Sequence, residues 1–99
     1  MSPNFYNSIQ DTPTIVDFYA SWCEPCKLMR PKVEEIEKQY EGKVKVLYID
    51  VDEDTRLAQE LGVMLLPSIL FFKNGELVDG LQGTVDKEEI EKKIKRIIN

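Results

Sequence analysis

The sequence has no histidine, and only two cysteines in 99 residues. A zinc site built on two thiols needs two further nitrogen or sulfur ligands, so one copy of this chain cannot complete one. Basic residues are outnumbered, 13 Lys and Arg against 18 Asp and Glu, for a net charge of −5. That balance argues against a nucleic-acid partner, because phosphate binding needs a basic footprint. We read the charge as a solubility feature. Long apolar runs are missing too: none approaches the roughly 18 residues of a membrane span. Met1 to Gln10 lacks both a basic n-region and an apolar h-region, so no signal peptide is expected and the expected setting is cytoplasmic. Repeats, low-complexity tracts and linkers are absent, which predicts a single domain over residues 1–99. Hydrophobic content of 42% and charged content of 31% suit a globular protein whose core forms without staples.

What is present is concentrated in Trp22-Cys23-Glu24-Pro25-Cys26-Lys27. An apolar, β-branched run, Thr14 to Tyr19, precedes it, and a helix-forming run, Lys27 to Tyr40, follows. A cysteine at a strand-to-helix junction meets the unpaired N–H groups of the helix start, which favour a thiolate. The second cysteine lies one turn further in, on the same side, within reach of a disulfide. In a reducing compartment such a pair is more often catalytic than structural. Two other readings stay open: half of a zinc or iron–sulfur site shared between two chains, and an inert pair of core thiols.

The rest of the chain predicts helix, strand, helix, strand, helix, strand, strand, helix. Pro3 to Gln10 is a short helix, with Ser2 as cap and Phe5, Tyr6 and Ile9 as its apolar face. Thr14 to Tyr19 reads as a central strand, interrupted by one acid, Asp17. Leu28, Val33, Ile36 and Tyr40 give the next helix its inner face, Pro31 should kink it, and Gly42 should cap it. Val44 to Asp50 is a strand, and Asp52-Glu53-Asp54 opens a short helix that Gly62 closes. Val63 to Leu66 is an apolar loop or short strand ending at Pro67. Ser68 to Lys73 and Glu76 to Leu81 form a hairpin around Asn74-Gly75, with a bulge or bend at Gly80 and Gly83. Asp86 and Glu89 open the last helix, Val85 staples onto Ile90, and Ile90, Ile94, Ile97 and Ile98 face inward. The central β-α-β is a right-handed parallel crossover and the hairpin is antiparallel. The fold class is therefore α/β: a mixed sheet of about four strands with helices on both faces.

Val16-Asp17-Phe18-Tyr19-Ala20-Ser21-Trp22-Cys23-Glu24-Pro25-Cys26-Lys27 resembles the active-site signature of the thioredoxin family, and the resemblance runs nearly the whole chain. Pro31 is similar to the family's helix proline, Leu66-Pro67-Ser68 to its cis-proline loop, Phe72 to Glu76 to its hairpin, and Gly83 to its glycine near the active site. Three departures stand out. Glu24 replaces the family's usual glycine. The lysine that many members place near the buried aspartate is matched by Val46. The segment before Cys23 is short, so the first edge strand is expected to be missing or shortened, leaving a sheet edge open.

The resemblance implies protein disulfide reduction by thiol–disulfide exchange. Cys23 attacks as the exposed thiolate, and Cys26, more buried, resolves the mixed disulfide. The family's buried acid matches Asp17, which would take the Cys26 proton directly or through water and should have a raised pKa. Trp22, Leu66, Pro67 and Gly83 would form a shallow apolar groove, in which Leu66 offers its backbone to an extended peptide. Pro25 and Glu24 would tune the redox potential. The Glu24 carboxylate, close to the Cys23 sulfur, should oppose the thiolate and make the dithiol more reducing. No cofactor is expected beyond the Cys23–Cys26 disulfide. The implied partners are disulfide-containing proteins and an upstream reductase such as a thioredoxin reductase, acting on a monomer with no nucleic acid and no membrane. A redox-inactive adaptor using the same groove is the remaining alternative.

Overall fold

The structure, a computed structural model, describes residues 3–98. Its elements are α1 (Pro3–Ser8), β1 (Thr14–Tyr19), α2 (Glu24–Gln39), β2 (Lys45–Asp50), α3 (Thr55–Glu60), β3 (Ser68–Lys73), β4 (Glu76–Gln82) and α4 (Lys87–Ile97). The expected order is found; Ser2, expected as the first cap, lies outside the described residues. The strands form one sheet in the order β2-β1-β3-β4. β1 runs parallel to β2 and antiparallel to β3, and β3 pairs antiparallel with β4. β1 is therefore hydrogen-bonded on both sides, and five of its six residues are buried.

Alternation along the strands sends side chains to two cores. On one face Ile15, Val46, Ile69 and Phe71 pack under α2 and α4, through Met29, Val33, Ile36, Ile90, Ile94 and Ile97. On the other, Val16, Phe18 and Phe72 pack with Phe5 and Ile9 from the N-terminal segment and Leu57 and Ala58 from α3. Among the described residues no strand lies outside β2, so the expected open edge is present. Lys45 begins that edge, and Glu34, Glu37 and Glu41 line the groove beside it. Such charges discourage strand addition.

Two expectations are corrected. Leu28 is 67% exposed, and Met29 takes the buried position, accepting the Val85 N–H at 3.4 Å. The apolar stripe of α2 is Cys26, Met29, Val33 and Ile36, a spacing of three and four that leaves Leu28 on the outer side. The bulge sits at Val78 rather than at Gly80: Phe71 faces Asp79 and Phe72 faces Leu77, so Val78 has no opposite residue. Gly80 instead sits close to β3, where a Cβ would lie 3.1 Å from Leu70 Cδ2. On α4, Lys93 and Arg96 both pair with Asp79 of β4, at 3.0 and 2.6 Å.

The caps otherwise follow chain chemistry. Asp54 accepts from the Leu57 N–H at 3.3 Å, and Glu89 reaches back to the Asp86 N–H at 3.4 Å. α2 closes at Tyr40, with Gly42 two residues beyond at φ +86°. The hairpin turn has φ of 54° at Asn74 and 80° at Gly75, the pair of positive values that a two-residue connection requires.

The two adjacent α2 residues provide a test of packing. Met29→Ala should cost about 2–4 kcal/mol and Leu28→Ala no more than about 0.5 kcal/mol. Urea unfolding measures both, and equal costs would show that the helix is rotated relative to this description.

Candidate active site

β1 ends at Tyr19, and α2 begins at Glu24. Cys23, between them, is the N-cap of α2 with an extended backbone, and its Sγ accepts the Cys26 N–H at 3.2 Å. Its own N–H donates to the Ala20 carbonyl at 3.1 Å. Cys23 and Cys26 are joined as a disulfide, with Cα atoms 5.3 Å apart. Glu24 and Pro25 fill the first two helical positions, where the missing N–H of proline costs no intrahelical bond.

The expected contrast in exposure between the cysteines is not found: Cys23 is 5% and Cys26 4% exposed. Bonded to each other, both pack with Ala20 against Tyr19, Val51 and Leu66. What differs is the cleft each one faces. Cys23 lines a cleft of about 700 Å³ with Trp22, Pro25, Asp52, Met64, Leu65 and Leu66. Cys26 lines a smaller one of about 350 Å³ with Tyr19, Ser21, Lys27 and Arg30.

The larger cleft holds part of the expected groove. Trp22 is 66% exposed, and its indole N–H donates to Asp52 Oδ2 at 2.8 Å. Leu66 lines the cleft and precedes Pro67 through a cis peptide bond. Pro67 and Gly83 do not line it. Pro67 is buried, and its carbonyl accepts the Gly83 N–H at 2.8 Å. Gly83 turns with φ +79°, where a side chain would be strained. Sequence reasoning missed Met64, Leu65 and Asp52. Met64 and Leu65 stand 86% and 57% exposed. Their signal was in plain view, as consecutive large apolar residues in a segment that had no strand partner.

Asp17 is 1% exposed, on the α2 face of β1. Neither of its oxygens accepts a hydrogen bond from a described residue. Burial pushes its pKa up to about 6, with the Arg30 guanidinium pulling against that rise. The residue across from it on β2 is Tyr48; Val46 pairs with Ile15 instead. A single strand's alternation leaves such a register undetermined. Arg30, which the sequence did not single out, supplies the nearby cation: its Nε lies 3.9 Å from Asp17 Oδ2.

Glu24 and Lys27 form an ion pair at 2.9 Å, with side chains 79% and 59% exposed. The Glu24 charge beside the disulfide is thus partly balanced from within the same helical turn. Among the described residues, no group of three or more Cys, Asp or Glu is placed to hold a metal ion, and no helix is long and apolar enough to cross a membrane.

A disulfide at the start of a helix, on an open mixed sheet covered on both faces, defines a thiol–disulfide oxidoreductase of the α/β class. The family model for thioredoxin matches residues 1–96. The thioredoxin of Staphylococcus saprophyticus is 41% identical over 93 residues, 94% of this chain and 89% of that protein. A chloroplastic M-type thioredoxin of Pisum sativum is 40% identical over 88 residues, 89% of this chain; the chain spans about half, 51%, of that relative's length. A mutant thioredoxin from Halobacterium salinarum superposes with a TM-score of 0.91 at 30% identity, covering 100% of this chain and 87% of that one. The chain belongs to the thioredoxin family, and thiol–disulfide exchange is the chemistry of its Cys23–Cys26 pair.

The buried acid makes stability depend on pH. Its folded pKa of about 6 lies above the ordinary 3.8, so the protonated form is favoured by folding. The cost of ionising it begins near the unfolded value, grows as pH rises, and levels off above the folded one, at roughly 3 kcal/mol. Asp17→Asn should therefore stabilise the fold by about 1–3 kcal/mol at pH ~8 and lose that advantage below pH ~4. Chemical denaturation at the two pH values checks this, and a variant no more stable than its parent at the higher pH contradicts it.

Proposed function

We propose that this chain is a protein disulfide reductase in which Cys23 attacks the substrate and Cys26 resolves the mixed disulfide. The observation that carries the reading is that the two sulfurs face different clefts. Cys23 lines the apolar cleft with Trp22, Met64, Leu65 and Leu66, which suits an extended peptide around a disulfide. Cys26 lines the cleft on the Arg30 side, toward the acid-bearing strand.

In the first step the Cys23 thiolate attacks one sulfur of the substrate disulfide. A bond forms from Cys23 to that sulfur, and the other sulfur leaves as a thiolate and takes a proton from water. In the second, Cys26 gives its proton to Asp17, directly or through water, and attacks Cys23. The second substrate thiolate departs, and the Cys23–Cys26 disulfide holds the oxidising equivalents. Burial makes Asp17 basic enough to accept that proton, while near neutral pH it is largely ionised. Leu66 presents its backbone to the peptide, held by the Pro67–Gly83 contact. Trp22, fixed by Asp52, forms one wall of the cleft.

The substrates on this reading are disulfide-containing proteins, and an upstream reductase such as a thioredoxin reductase returns the pair to the dithiol. The disulfide itself is the redox group, with no further cofactor. The protein works as a monomer in a reducing compartment, with no nucleic-acid or membrane partner. We place it in the cytoplasm, where thiols are kept reduced; the pea relative is named as chloroplastic.

The roles separate by capture. Cys26→Ser should retain substrates as mixed disulfides on Cys23, whereas Cys23→Ser should retain none and reduce no insulin with dithiothreitol as donor. Non-reducing electrophoresis of each variant with an oxidised protein substrate reads this, and capture by Cys23→Ser alone would reverse the roles.

Glu24 and Lys27 tune the pair in opposite directions. Glu24→Gln removes a negative charge near the attacking sulfur, stabilises the thiolate and should raise the reduction potential. Lys27→Gln leaves Glu24 unbalanced and should lower it. Each shift is on the order of 10 mV at low ionic strength, because both side chains are exposed and screened. Equilibration against glutathione measures them; shifts of the same sign would remove the electrostatic role.

A further inference from the structure

Arg30 lies one helical turn beyond Cys26 on α2, and so on the same side of the helix. Its guanidinium carbon sits over two aromatic rings, 4.6 Å from the centroid of Tyr19 and 4.3 Å from that of Tyr48. Tyr19 is two residues after Asp17 on β1, and Tyr48 faces Asp17 across the β1–β2 ladder. The two rings therefore hold the cation over the strand position that carries the acid. Arg30 Nε is buried and donates to no described residue; Asp17 Oδ2, at 3.9 Å, is its nearest ionic partner. The same arginine lines the cleft that Cys26 lines.

We propose that Arg30, clamped by Tyr19 and Tyr48, is a positioning residue that supplies the positive charge beside Asp17 while Asp17 takes the Cys26 proton. This rests on the roles of Cys26 and Asp17 proposed above.

Three features of the cluster suit that task. A guanidinium keeps its charge at every working pH, unlike a buried ammonium, and it stacks on aromatic faces. At 3.9 Å without a hydrogen bond it biases the carboxylate yet forms no bidentate pair, which would draw the carboxylate far down and leave it a poor base. The other groups around Asp17 do not compete. Ile69, across from it on β3, is apolar. The Tyr48 hydroxyl donates to Glu37 of α2 at 2.8 Å, and burial with that carboxylate holds it protonated well above its ordinary value. Glu34 of α2 acts on Tyr48. Lys27, at the cleft mouth, is paired with Glu24.

The test follows the second thiolate released when the reduced protein meets a symmetric nitrobenzoate disulfide, whose two halves absorb as they leave. The second release is the resolving step. Its rate against pH should rise along an acid limb in the parent protein. Arg30→Met should move that limb upward by about one pH unit, slowing the step up to about tenfold below it and leaving the high-pH plateau in place. Arg30→Lys should restore most of the shift, and Arg30→Gln should reproduce it if the methionine variant folds poorly. In an Asp17→Asn background, where the limb is lost, Arg30→Gln should add nothing. If Asp17→Asn leaves the second release unchanged, the base assignment falls and Arg30 falls with it. If Asp17→Asn removes the limb but the arginine variants leave it in place, Arg30 alone is overturned. An equal loss at every pH, with or without Asp17, also overturns it, since that marks a packing role.

Discussion

The structure depends on one strand being paired on both sides. β1 is hydrogen-bonded to β2 and to β3 over most of its length, with residues 14–18 buried. Both helix layers rest on it, α2 and α4 on one face and α1 and α3 on the other. A strand fixed in this way has almost no freedom at its end, and the chain leaves it at Tyr19 to cap α2 with Cys23. The sulfur is therefore placed by the sheet, although the group that binds it is a helix N–H.

The same constraint explains how one acid can be kept in the core. A carboxylate in an apolar strand is expensive. Here its position is enforced by ladders on both sides, so it cannot swing to water without unpairing the centre of the sheet. The core answers the charge with a guanidinium brought from α2 and held by two tyrosines, at a distance that moderates the acid without neutralising it. The disulfide lies between this polar cluster and the apolar cleft, with Cys26 lining the one side and Cys23 the other.

Elsewhere the edges are managed by charge. β2 has no outer partner among the described residues, and acids of α2 line the groove beside it. At the other edge, β4 is mostly exposed, bulges at Val78 and is tied to α4 through Asp79, Lys93 and Arg96. Bulging and charge both discourage pairing with another chain.

The order of elements, the hairpin at Asn74-Gly75, the capping acids and the Cys23–Cys26 device were legible in the sequence, because each is set by residues within a few positions of one another. Asp17 was legible for the same reason, as one acid in an apolar run. What tertiary structure decided involves residues far apart in the chain. The β1–β2 register put Tyr48 across from Asp17. The rotation of α2 buried Met29 and exposed Leu28. Trp22 met Asp52 thirty residues on, and Arg30 met Tyr19, Tyr48 and Asp17. Local patterns fix which side of an element is apolar, but register and helix rotation are settled only when separate elements pack together, and it is there that the acid acquired its cation.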